Sequence, residues 1–158
     1  METSRLFPLD TTLNRLYAAG DPQAEARRSE KEHVDTVTRF FDAVISSDLD
    51  AACAMLTDDV DVVLFSPPEF PLVRRASGPE EVRGLVTHNF SALANQQPEI
   101  QTITAQGDTL LMVGRESGTI RASGQPYDLH FVYQFNFRDG LICGVRQYTS
   151  LTSWGPAG

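Results

Sequence analysis

Lysine is almost missing from this 158-residue chain: Lys31 stands alone beside twelve arginines. Acidic residues outnumber basic ones 21 to 13, which leaves a formal net charge of −8. A chain with that balance lacks the phosphate-neutralising surface on which nucleic-acid affinity rests. Anionic membrane surfaces are disfavoured on the same ground. No apolar run approaches the roughly 20 residues of a membrane span. The opening METSRLFPLD lacks the basic-then-apolar layout of a secretory signal, so a cytoplasmic protein is expected. Cysteine is limited to Cys53 and Cys143, both in apolar settings and without metal-ligand spacing. They are expected to be buried free thiols, and no histidine is nominated as partner for a cysteine nucleophile.

What is present fits one soluble domain with one core. The hydrophobic fraction is 41% and the charged fraction 22%. Residues 1–30 read as an N-terminal arm carrying a short helix over TLNRLYAA, 31–150 as the main domain, and 151–158 as a flexible tail. Asp21-Pro22 is placed to cap a long helix running to about Ser46. Its stripe of Val34, Val37, Phe40, Phe41, Val44 and Ile45 has amphipathic spacing. Asp48 can cap a second helix over LDAACAML, and the acids Asp58, Asp59 and Asp61 read as a solvated turn before and into the strand VDVVLF. The segment SPPEFPLVRRASG is a loop whose prolines oppose strand pairing. A third helix follows over PEEVRGLVTHNFSAL, with acids in its first turn where the helix dipole favours them. Four strand-like runs come last, at about 99–105, 109–122, 126–138 and 141–149. The turns between them are QGD, SGQ and DG. This order predicts an α+β fold: a cone-shaped, curved antiparallel sheet wrapped around three helices.

The third of these runs, 126–138, carries the sharpest pattern. Phe131, Tyr133, Phe135 and Phe137 alternate with His130, Val132, Gln134 and Asn136. A strand turns alternate residues to opposite faces, so one wall is aromatic and the other half-polar. The aromatic wall suits the concave side of the cone. The half-polar wall suits a two-fold homodimer contact through the convex sheet face.

The layout resembles the nuclear transport factor 2-like superfamily, in particular its SnoaL-like and ketosteroid isomerase-like members. The segments carrying the resemblance are VTRFFDAVISSDLDAACAMLTDDVDV, SGPEEVRGLV, AQGDTLLMVGRESGTI and FNFRDGLICGVRQY, which together span about 33–150. The resemblance implies the cone fold. It leaves function open, because the superfamily holds isomerases, cyclases, dehydratases, epoxide hydrolases and non-catalytic binders. Ketosteroid isomerases use an Asp base with a Tyr and a protonated Asp as oxyanion donors. The Tyr position matches Phe40, the base position matches Leu64 or Phe65, and the second acid matches Tyr133. Phe40 cannot donate and Leu64 or Phe65 cannot accept a proton, so that mechanism is excluded.

Matching the hairpin partners to the aromatic wall turns Glu116 inward, with Gly114 and Gly118 beside it, and Val145 and Gln147 on the last strand. Glu116 is then placed to act as general base and Tyr133 as donor to a developing enolate. Phe40, Leu64, Asn89, Phe131, Phe135 and Gln147 are candidate substrate-binding residues. A one-residue slip would instead turn Arg115 inward. Tyr133 and Gln147 also read as ordinary core groups. Loop 66–76 reads either as a lid with Arg74 or Arg75 toward an anionic ligand group, or as plain surface. His33 and His88 are expected at the surface and His130 on the outer wall. No metal site or cofactor is expected. Two functions stay open: proton transfer on a small apolar ligand of isomerase, cyclase or dehydratase type, or a non-catalytic ligand-binding or accessory domain.

Overall fold

The computed structural model describes residues 23–153; residues 1–22 of the expected N-terminal arm and the last residues of the tail lie outside them, and residues 23–30 of that arm belong to the first helix. Helix α1, Gln23–Ile45, presents Val37, Phe40 and Val44 to the core and Phe41 beside them. It stops where Ser47 takes φ 61°, with the Asp48 amide bonded back to the Ala43 carbonyl at 2.8 Å. Asp48 then caps α2, Leu49–Cys53, by accepting from the Ala51 amide. Strand β1 is Leu56–Phe65, and a short β2, Arg75–Ser77, pairs with it. Gly78 at φ 80° and Pro79 start α3, Pro79–Ala92, where the Glu81 carboxylate accepts from the Ser77 amide at 2.7 Å.

The chain then builds a meander: β3 is Leu93–Gln106, β4 Thr109–Ile120, β5 Pro126–Arg138 and β6 Leu141–Ser153. The sheet order is β2-β1-β6-β5-β4-β3. All neighbours are antiparallel except β1 with β6, which run parallel after the helical crossover. Asp139 and Gly140, both at positive φ, form the tight β5–β6 turn that the DG pair signals. The sheet is curved and unclosed, and the three helices lie in its concavity, as the cone reading requires.

Register follows the inward set. Leu110, Met112, Gly114, Glu116 and Gly118 of β4 face Phe135, Tyr133, Phe131, Leu129 and Tyr127 of β5. On β5 the inward Phe131, Phe135 and Phe137 are buried while His130 is exposed. Each fully buried ring of this kind contributes about 1.5–3 kcal/mol by leaving water.

Several local expectations differ from the structure. Strand β3 starts at Leu93 because Asn95, at φ 54°, and two register shifts let a bent strand leave the helix directly. Strand β6 runs on to Ser153. Asp58, Asp59 and Asp61 lie within β1 and not in a turn; Asp58 and Asp59 are exposed, as expected, and Asp59 pairs with Arg138 while Asp61 pairs with Arg146 at 2.7 Å. His33 is buried, against expectation: it stacks on Phe137 at 4.0 Å, and its Nδ1 lies 3.1 Å from the Gly107 carbonyl. A ring flanked by an aromatic face and a carbonyl is met on both its apolar and its polar surfaces there. Cys53 and Cys143 are free but only partly buried. The Cys53 thiol is pushed up by burial. His88 and His130 are exposed.

Candidate functional site: an apolar cone with one anchored carboxylate

Between α1, α3 and the concave sheet lies a cavity of about 690 Å³, within the size range of small-molecule sites. Its wall includes Phe40, Phe41, Leu64, Phe131, Tyr133 and Phe135. Exposed Ile45, Phe90, Ile100 and Ile103 are also lining residues and mark the mouth. The aromatic groups hold one another edge-on: Phe41 meets Tyr133 at 5.6 Å and Phe135 at 5.9 Å, and Phe131 meets Tyr133 at 5.3 Å. Phe137 does not line the cavity; His33 covers it. The row noticed in the sequence is therefore partly cavity wall and partly core.

Glu116 lines this cavity and is partly buried. Its Oε1 accepts from the Tyr127 hydroxyl at 2.6 Å and from Gln96 Nε2 at 3.3 Å. Its Oε2 has no hydrogen bond among the described residues. Both donors are neutral, so they fix the side chain without cancelling its charge. Arg115 lies on the opposite face of β4 and pairs with Glu99 at 3.7 Å, so the alternative slip does not occur.

Tyr127 reaches the carboxylate because its cross-strand partner is Gly118: a Cβ there would meet the Tyr127 Oη at 2.6 Å. The same device recurs at Gly114, where a Cβ would meet Phe131 Cζ at 2.6 Å. The two inward glycines that flank Glu116 thus let two rings lie flat across β4. Behind Tyr127, Phe70 of the proline-rich loop packs edge-on at 5.2 Å and is 1% exposed.

That loop is fastened rather than loose. Arg74 donates to the Pro67 carbonyl at 2.9 Å and the Phe70 carbonyl at 3.4 Å, so its guanidinium serves the loop and not a ligand anion. Asn89 lines the cavity, yet its amide makes a two-way bridge to Val73, accepting at 2.8 Å and donating at 3.1 Å. Its polar atoms are therefore engaged by the loop, and the residue stands in the cavity wall. Gln147 lines the same wall beside Tyr133, its cross-strand partner, and donates to Thr149 at 3.2 Å.

Tyr133 also lines the cavity, and its hydroxyl has no hydrogen-bond partner among the described residues. Burial, and then the charge of Glu116, push its pKa well above the ordinary tyrosine range. Burial, the hydrogen bond to Glu116 and that same charge do so for Tyr127. Both phenols therefore remain donors at any pH where the protein works. The hydrogen bond to Glu116 comes from Tyr127, not Tyr133, and the sequence reading missed it. Tyr127 has the same parity as Phe131 and Tyr133, so extending the alternation two pairs upstream would have found it. Gln96 carried no such signal, because it sits in the irregular start of β3. Among the described residues no three His, Cys, Asp or Glu side chains gather as metal ligands. No described helix is long and apolar enough to cross a membrane.

Comparison with known proteins agrees with this geometry. The model of the SnoaL-like domain matches residues 37–145. Comparison with curated proteins finds no match. Among solved structures, an NTF2-like protein from Burkholderia xenovorans is similar at 22% identity and TM-score 0.67, covering 77% of this chain and 91% of that one. A candidate SnoaL-like polyketide cyclase from Jannaschia is similar at 21% identity and TM-score 0.66, covering 77% and 87%. An LEH-like epoxide hydrolase from M. tuberculosis is similar at 21% identity and TM-score 0.58, covering 77% and 84%. At such identities the likeness concerns the fold alone. The chain belongs to the SnoaL-like domain family and has the nuclear transport factor 2-like cone fold.

Proposed function

We propose that the cone binds a small, mainly apolar carbonyl compound and that Glu116 takes a proton from the carbon beside the carbonyl. The observation that carries this reading is the anchored carboxylate: Oε1 held by Tyr127 and Gln96, Oε2 without a partner among the described residues, on the wall of an apolar cavity. A base must be held still and keep one oxygen unengaged, and this arrangement supports both needs. Tyr133 is the donor to the enolate oxygen that forms as the C–H bond breaks, since its hydroxyl is protonated and has no partner among the described residues. Phe40, Leu64, Phe131 and Phe135 shape the apolar wall. Gln147, already bonded to Thr149, acts as a polar boundary. The activities named among the structural neighbours differ, so the fold does not choose the reaction.

The test is hydrogen–deuterium exchange into 2-decalone in deuterated buffer, followed by NMR. Wild-type protein is expected to accelerate exchange next to the carbonyl, and Glu116→Gln to lose about 10²–10⁴ of that acceleration. Equal exchange in both, with the ketone demonstrably bound, would leave the second reading, a non-catalytic binding domain. The tight packing of Phe70, Tyr127 and Phe131 around the inner end is what favours that alternative.

We also propose pairing of two copies through the convex sheet face, in the cytoplasm. Register places Phe65, Tyr148, Val132 and Val113 in one row across that face. Phe65 and Tyr148 stack at 5.0 Å while 50% and 46% exposed. An exposed aromatic pair in an otherwise mixed surface suits an interface core. Sedimentation of wild type and Tyr148→Glu tests it: a dimer is expected for the first and a monomer for the second.

A further inference from the structure

We infer that the ligand of the cone carries a protonated amine, which pairs with the Glu116 carboxylate. This rests on the second reading, the cone as a non-catalytic ligand site, because an ammonium on Oε2 takes the oxygen that proton abstraction needs. The first ground is charge. No lysine, arginine or histidine of the described residues lines the cavity. Glu116 makes no ion pair among the described residues, and its two hydrogen-bond partners are neutral. Arg115, next to it in the chain, is turned to the other face and engaged by Glu99. Arg74, in the loop behind Tyr127, is held by loop carbonyls.

A carboxylate in an apolar enclosure without its own cation is costly, and a ligand that brings the cation removes that cost. An anionic ligand would add to it. The chain's net charge of −8 acts in the same direction, while Asp42 at the rim is exposed and therefore screened by water.

The second ground is the shape of the surroundings. Phe131 and Tyr133 meet edge-on on the sheet wall that also carries Glu116, and Phe41 of α1 packs edge-on against Tyr133. Ring faces attract a cation within about 6 Å, and more strongly where water is excluded. The ammonium group is a donor only, so it matches Oε2, an acceptor with no other partner among the described residues. The ammonium would take that oxygen while the apolar body of the ligand fills the cone toward Leu64 and Phe135.

The experiment uses three probes of one size at pH 7: 2-naphthylmethylamine, which is protonated there, 2-naphthalenemethanol, which is neutral, and 2-naphthoate, which is anionic. Each is titrated calorimetrically into wild type, Glu116→Gln and Asp42→Asn, after thermal melting has shown that the variants fold. The expected result is at least tenfold tighter binding of the amine than of the alcohol by wild type, with naphthoate weakest. Glu116→Gln is expected to erase the amine's advantage and keep alcohol binding, whereas Asp42→Asn keeps the advantage. Equal affinity for amine and alcohol in wild type overturns the inference and leaves the cone as an apolar site. An advantage that survives Glu116→Gln, or that disappears in Asp42→Asn, also overturns it, because Glu116 is then not the pairing group. Failure of all three probes to bind overturns the cone as a ligand site as well.

Discussion

Phe131 and His130 are neighbours in the chain and live in different environments. The inner side of β5 is closed: Phe131 is 5% exposed and Phe135 0%. The outer side, with His130 exposed and Val132, Gln134 and Asn136 partly so, tolerates water. The same backbone serves both. What differs is what each face must fit, and the inner face is constrained by rings, by glycines and by one carboxylate at once. The tight packing and the cavity are therefore concentrated on one side of the sheet.

Substitution at matched positions tests that asymmetry most severely. Phe135→Ala, which empties a fully buried ring site, is expected to cost about 3–5 kcal/mol in denaturant unfolding. His130→Ala, on the outer side of the same strand, is expected to stay within about 0.5 kcal/mol. Comparable losses at both positions would break the comparison.

Gly114→Ala comes next. The added Cβ would run into the Glu99 carbonyl oxygen and Phe131 Cζ, and overpacking of that kind costs about 1–3 kcal/mol. A Cβ at Gly140 would meet no atom of the described residues within 4 Å, but its φ is 78°, so it is a poor control; Gly84, a helical position where a Cβ would likewise meet none of the described residues, is the proper one. Gly84→Ala is expected to be neutral or slightly stabilising in the same unfolding assay.

A similar loss is expected for the tyrosine that anchors Glu116. Tyr127→Phe removes a 2.6 Å bond to the carboxylate, and bonds to charged groups are worth about 1.5–3 kcal/mol. Tyr133→Phe removes a hydroxyl without a partner among the described residues, so stability is expected to hold while exchange on 2-decalone falls. A mirror-image outcome, with Tyr133 the costly position, would reverse the assignment of anchor and donor.

The smallest effect is a dependence on alkaline pH. Tyr127 and Tyr133 have folded pKa values raised above the usual 10. An unfolded chain gives up those protons first, so the stabilisation is complete below pH 10 and is lost as pH rises through the folded values. The slope is up to about 1.4 kcal/mol per pH unit for each tyrosine. In Tyr127→Phe the decline above pH 10 is expected to be shallower by one such contribution.

Much of the inner face was legible because strand periodicity is strict. Once Phe131, Tyr133 and Phe135 were set inward, hairpin register brought Glu116 and Gln147 with them. The outer row ending in Phe65 and Tyr148 was not seen, because it depends on a parallel β1–β6 pairing that local sequence does not encode. His33 was misplaced for a similar reason. Its charged sequence neighbours suggest solvent, but the stacking Phe137 lies about a hundred residues away in the chain. Asn89 was found near the cavity, yet what it binds is loop backbone, and backbone partners leave no trace in side-chain patterns. Tyr127 and Gly118 show the opposite: each alone is unremarkable, and only the cross-strand pair reveals why a glycine sits there.

The central claim is that the concave side of the sheet is the ligand side. The direct measurement is calorimetric titration of 2-naphthalenemethanol into Leu64→Trp and His130→Trp. The indole at Leu64 would occupy the cone, and the one at His130 would lie on the outer face. Binding is expected to vanish in Leu64→Trp and to persist in His130→Trp; binding retained in the first and lost in the second would contradict the account.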